Sequence, residues 1–140
     1  GPAGSAAART LARAGVDVVL IDQQAFPRDK VCGDGLIPDA HRALERLGVL
    51  EAVMAEARRS SALTCIAPRG GRIDVPGRLA VLPRERLDWI LCEAAVRAGA
   101  RMHAPARLTA PVVEAGRVVG ARLEHAGETR EIRARHVVLA

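Results

Sequence analysis

At 140 residues, 49% of them hydrophobic, the chain is long enough to bury the core of one domain and too short for most complete two-domain enzymes. Its net charge of +5 comes from 21 basic residues scattered among 16 acids, with no basic block and only Phe26 and Trp89 as aromatic rings, which argues against nucleic-acid binding by charge and base stacking. Cys32, Cys65 and Cys92 are odd in number and lack C-x-x-C spacing, which argues against a zinc site or a disulfide framework and fits a reducing cytoplasm.

Gly1-Pro2-Ala3-Gly4-Ser5 runs directly into Ala6 to Ala14, a strong helix former stopped by Gly15. The run from Val16 to Asp22 is β-branched and continuous, the pattern of a parallel strand buried on both faces. A polar loop follows to Gly35. Pro38, with Ala40, Leu44 and Leu47 at helical spacing and a stop at Gly48, predicts a second helix, and Leu50 to Ala57 a short third. Ala62 to Pro68 and Arg72 to Val75 read as a hairpin turned at Arg69-Gly70-Gly71, belonging to a different sheet. Pro83 opens a long helix to Ala98, closed by Gly99. Short strands are expected near Arg101 to His103, Leu108 to Ala115, Arg117 to His125 and Thr129 to Ala134, and His136 to Ala140 reads as a further buried strand. No apolar run reaches the roughly 18 to 20 residues that span a bilayer, and no charged-then-apolar targeting segment is expected from these residues. His41, His103, His125 and His136 share no spacing with acids or cysteines, so no metal site is expected.

A glycine pair three apart, then a helix, then a parallel-type strand is the later part of a dinucleotide-binding βαβ unit. Gly1 and Gly4 fit the second and third glycines of G-x-G-x-x-G, one letting backbone approach a pyrophosphate and the other letting helix pack on sheet. The first glycine and the strand before it are absent from the sequence, so the first strand of the fold is expected to be missing. Gly1, Pro2, Ala3 and Gly4 would then bring helix N–H groups and a positive dipole end to the phosphates. Asp22, 18 residues beyond Gly4, stands where an acid accepts hydrogen bonds from ribose hydroxyls. A glycine-started surface helix with an acidic turn residue would share these letters, so further motifs must decide.

Pro27-Arg28-Asp29-Lys30-Val31-Cys32-Gly33-Asp34-Gly35-Leu36 resembles the P-R-x-K-x-C-G-x-G-L stretch of the geranylgeranyl reductase family of FAD-dependent oxidoreductases, relatives of flavin halogenases and aromatic hydroxylases. Arg84-Glu85-Arg86-Leu87-Asp88-Trp89-Ile90-Leu91 is similar to that family's R-x-x-L/F-D-x-x-L helix, and Arg101 to Val113 to the strand pair after it. The resemblance implies that Lys30, Cys32, Gly33, Asp34, Gly35, Arg84 and Leu108 join Gly1 to Gly4 and Asp22 as FAD contacts. It also implies that Cys32 sits beside the flavin, the one candidate for a catalytic role. Independently, two glycines flanking Asp34 let backbone N–H groups approach a ligand. A cation at a helix start, as at Arg84, is disfavoured by the helix dipole unless an anionic or polar partner offsets it.

The expected fold class is therefore α/β: a partial Rossmann-like FAD-binding domain over residues 1–140, its first strand missing, interleaved with the start of a β-rich substrate domain to which 62–82 belongs as an insertion. The resemblance implies an oxidoreductase carrying hydride from NAD(P)H or another reductant through FAD to C=C bonds of prenyl chains, of geranylgeranyl or menaquinone type. A flavin-dependent monooxygenase or halogenase shares the same FAD grip and stays open as an alternative, as does a non-catalytic flavin-binding remnant. Prenyl-lipid substrates would bring a cytoplasmic protein into peripheral contact with a membrane.

Overall fold

A computed structural model describes residues 1–31 and 33–140. Its elements in chain order are α1 (Pro2–Arg13), β1 (Val19–Ile21), β2 (Gly35–Leu36), α2 (Pro38–Arg46), α3 (Leu50–Glu56), β3 (Arg58–Ile66), β4 (Arg72–Val81), α4 (Arg84–Arg97), β5 (Arg101–His103), β6 (Arg107–Glu114), β7 (Arg117–His125) and β8 (Glu128–Arg133). The described residues form a mixed α/β chain with one parallel pair and two antiparallel sheets. It divides into two units, Gly1–Arg28 with Leu91–Ala140, and Asp29–Ile90.

In the first unit β1 pairs in parallel with β5, Leu20 opposite Met102. The pairing is continued at both ends by Arg101 N–H donating to Val18 O and Asp22 N–H donating to His103 O. Ala8 of α1 packs with Ala95 of α4 and Ala100, and Ala12, Val18 and Leu20 close the cluster. Alanines on both helices allow this close approach, and Arg9 ties them by donating from Nη1 to Ala94 O at 2.8 Å. β1 is shorter than the expected Val16 to Asp22 and only half-buried, with Val16 43% exposed. Two strands give it one hydrogen-bonding neighbour, and burial on both faces needs a wider sheet.

The meander falls close to where the glycines put it. β6, β7 and β8 form one antiparallel sheet in that order, with turns at Ala115-Gly116 and Ala126-Gly127. Gly120, Ala121 and Leu123 of β7 are its buried residues among those described. Arg107–Glu124, Arg122–Glu131 and Arg133–Glu114 pair across the strands at the solvent face, where such pairs contribute little each. His136 to Ala140 departs from expectation. It forms no strand, and Val138 and Leu139 are 64% and 79% exposed, because among the described residues no strand pairs with it.

In the second unit β4 lies between β2 and β3, both antiparallel to it. The hairpin exists but is longer than the sequence pattern suggests, since β3 starts at Arg58 and β4 runs on to Val81. The turn is closed by Ala67 N–H donating to Gly71 O and Gly70 N–H to Ala67 O. Leu36, Leu44, Val53, Ala80, Leu82 and Leu87 are buried here, with Val53 fully so. Every residue of β3 is exposed.

Candidate cofactor-binding site

The candidates in the first unit gather where α1 begins. Gly1 is the N-cap and Pro2 opens the helix, so one orphan donor is already removed. Among the described residues no side chain caps the helix, and its first turn carries no acid. The amides there are therefore open to an external anion, with the dipole in its favour. A side chain at Gly4 would stand 3.7 Å from Leu20 Cδ1, the helix-on-strand contact expected for the third glycine of the fingerprint.

Asp22 lies at the end of β1 with its side chain 13% exposed. Its Oδ1 accepts from Gln24 N at 3.0 Å and its Oδ2 from Gly1 N at 3.3 Å and Arg28 Nη2 at 3.2 Å. Burial is the largest influence on this carboxyl and works to raise its pKa. The Gln24 and Arg28 hydrogen bonds, the Arg28 charge and, last, the terminal ammonium of Gly1 outweigh it, so the group is held below the ordinary aspartate range. Asp22 is thus an ionised acceptor set beside the start of α1. Arg28, which sequence reasoning singled out only as a motif letter, is the new member. Its side chain is 12% exposed and its guanidinium lies over the Phe26 ring, 5.0 Å from the centroid. The available signal was Phe26 and Arg28, four and six residues after the strand-end acid.

In the second unit the Gly33-Asp34-Gly35 loop is tied to the start of α4. Asp34 Oδ1 accepts from Arg84 N at 3.0 Å, capping the helix from 50 residues away, and Asp34 O accepts from Leu82 N at 3.0 Å. Arg84 itself, four residues before Asp88, donates from Nε to Asp88 Oδ1 at 2.8 Å and from Nη2 to Oδ2 at 3.1 Å. Asp88 is fully buried. The cation at a helix N-terminus is therefore neutralised from within the helix, by a partner legible in the i,i+4 spacing but not read from it.

Gly33 has φ +90°, and a methyl built on it would stand 3.0 Å from Arg84 Nη1. Gly33→Ala therefore meets both backbone strain and a neighbour, and should destabilise the protein by about 1 to 3 kcal/mol. A denaturation midpoint unchanged by this substitution would show that the loop takes another conformation. Lys30 is exposed, its backbone N–H donating to Asp29 Oδ1 at 2.8 Å. Leu108 sits in β6 opposite Leu123 and is 42% exposed. Cys32 lies outside the described residues. Among the described residues no group of three or more His, Cys, Asp or Glu side chains is placed to hold a metal ion, and no helix is long and apolar enough to cross a membrane.

An uncapped glycine-started helix beside an ionised strand-end aspartate suits a dinucleotide, and the sequence comparison decides which. Residues 1–140 match the FAD binding domain family throughout. The chain belongs to that family. It is 36% identical to the menaquinone reductase of Mycolicibacterium smegmatis over 138 residues, covering 86% of this chain and 33% of that protein. It is 37% identical to digeranylgeranylglycerophospholipid reductase 2 of Methanopyrus kandleri over 141 residues, covering 100% of this chain and 35% of that protein. The chain thus spans about a third of the length of the curated relatives it matches. Among solved structures, a geranylgeranyl bacteriochlorophyll reductase-like protein of Thermoplasma acidophilum superposes with a TM-score of 0.83 at 25% identity, over 96% of this chain and 35% of that one. The myxobacterial chondrochloren halogenase CndH, an FAD-dependent enzyme, gives 0.86 at 25% identity over 96% and 34%.

The residues of this FAD binding domain fit the adenosine diphosphate part of the cofactor on two observed counts. Among the described residues no side chain caps α1, although Gly1 N itself donates to Asp22, and the Asp22 carboxylate is ionised at the strand end, where a ribose hydroxyl can donate to it.

Proposed function

We propose that the protein containing this domain is an FAD-dependent oxidoreductase that reduces C=C bonds in prenyl chains, with NAD(P)H or another reductant as electron donor. The observation that carries it is the similarity to both a menaquinone reductase and a digeranylgeranylglycerophospholipid reductase, at 36% and 37% identity across 86% and 100% of the chain. When bound, FAD supplies a hydride relay, accepting two electrons and a proton from the donor and passing them to the alkene, whose second carbon takes a proton from a general acid or water. Gly1, Pro2, Ala3, Gly4 and Asp22 are proposed to hold the adenosine diphosphate part. Lys30, Gly33, Asp34, Gly35, Arg84 and Leu108 are proposed as further cofactor contacts, with Cys32 lining the flavin side as the catalytic candidate.

Residues 62–82 are proposed as an insertion belonging to a β-rich substrate domain. The exposed apolar side chains of this hairpin, Leu63 at 53% and Ile73 at 61%, support that assignment. Prenyl-lipid substrates would draw the protein from the cytoplasm into peripheral contact with a membrane surface. The likeness to a halogenase keeps flavin-dependent oxygenation or halogenation as a second reading, and a domain that keeps FAD without turnover as a third.

Oxygen reactivity separates them. Full-length protein reduced anaerobically with NADPH or dithionite should transfer two hydrogens to each reduced double bond of a menaquinone or geranylgeranyl lipid, read by mass spectrometry. Rapid oxygen-dependent reoxidation with hydroxylated or halogenated product, and no saturated chain, would move the assignment to the second reading. A full-length protein that binds FAD but reduces and oxygenates nothing would move it to the third.

A further inference from the structure

We propose that Asp88 is a positioning residue, which sets the Arg84 guanidinium against the Gly33-Asp34-Gly35 loop. The inference rests on the reading of that loop and Arg84 as FAD contacts.

Asp88 is fully buried, and a carboxylate without a partner there would be strongly destabilising. Both of its oxygens are given to one guanidinium, in a bidentate arrangement that fixes the plane of the arginine head as well as its distance. As a stability device such a pair is poor, since two apolar side chains of similar volume commonly do as well or better. What the pair does achieve is orientation. With Nε and Nη2 held by Asp88, the Nη1 edge stands against Gly33, where even a methyl group would lie 3.0 Å away.

The same residue is bound to the loop through its backbone, Arg84 N donating to Asp34 Oδ1. The loop is therefore joined to the first residue of α4 by main chain and by side-chain packing at once. A negative or hydroxyl-bearing part of a ligand that reaches the loop meets a cation whose direction is set by Asp88. Asp88 itself has no surface with which to touch a ligand.

The test compares single and double variants of Arg84 and Asp88 in the full-length protein, with FAD dissociation constants from flavin fluorescence and apo-protein melting read side by side. Arg84→Met and Asp88→Asn should each weaken FAD by about tenfold, the loss of one charge-assisted contact. The Arg84→Met/Asp88→Leu double variant should lose no more than either alone, because Asp88 acts through Arg84. Its apo melting temperature should return to near wild type, since the buried charges leave together. Asp88→Asn binding FAD within about twofold of wild type while Arg84→Met does not would overturn the positioning role. So would a double variant that regains FAD affinity along with stability, which would reduce the pair to packing. If Asp88→Asn fails to fold, the double variant still decides. Failure of the wild-type protein to bind FAD would remove the underlying reading, an outcome distinct from wild-type binding with no effect of the variants.

Discussion

Asp22→Ala in the full-length protein should weaken FAD binding by about tenfold to a hundredfold, the loss of one charge-assisted hydrogen bond to a ribose hydroxyl worth about 1.5 to 3 kcal/mol. The tertiary structure adds a second consequence. Arg28, with its side chain 12% exposed, would lose the carboxylate it is paired with, so the apo protein should also melt lower. Asp22→Asn separates the two effects, because the amide oxygen can still accept from Gln24 N while the charge is gone. Flavin titration and thermal melting of both variants check this, and unchanged affinity in both would return Asp22 to a structural role. The pH dependence has a definite sign. A carboxyl whose folded pKa is lowered contributes stability that is fully present above its unfolded value, about 3.9 for aspartate. That contribution is lost as pH falls below this value toward the lowered folded one. Acid unfolding of wild type should therefore be steeper than that of Asp22→Asn in this window.

Gly120→Ala should be strongly damaging. A methyl at this position would collide with the backbone oxygen of Ile132 and stand 3.2 Å from Arg133 Cα, so β8 must move away from β7. Backbone cannot swing aside as a side-chain tip can. The Gly120–Arg133 and Ala121–Ile132 pairs lie at that point in the ladder. Overpacking of this kind typically destabilises by about 1 to 3 kcal/mol, and more where a ladder separates. A fall in the urea midpoint of the full-length protein, without loss of secondary structure elsewhere, is the expected readout. An unchanged midpoint would mean that β7 and β8 do not pack as described.

What could be read along the chain was whatever rests on near neighbours. The alanine-rich α1 stopped at Gly15, α4 opened by Pro83 and closed at Gly99, and the meander turned at Gly116 and Gly127 all follow from 3.6-residue and two-residue periods and from residues that tolerate tight turns. Asp22 was legible for the same reason, since its distance from Gly4 is set by one helix and one strand. The Arg84–Asp88 pair had the i,i+4 spacing of a helix face, and only its burial was hidden.

Whatever depends on separation in sequence was decided by the tertiary structure. Asp34 caps a helix 50 residues ahead of it, Arg28 folds back onto Asp22 over Phe26, and Gly120 is required by the path of β8. His136 to Ala140 carries strand residues yet forms no strand, because strand character is completed by a hydrogen-bonding partner and not by the residues of one segment. Local propensity and pattern are written into short windows of the chain. Caps, ion pairs and close approaches exist only once distant segments are brought within a few ångströms, so they belong to the folded structure.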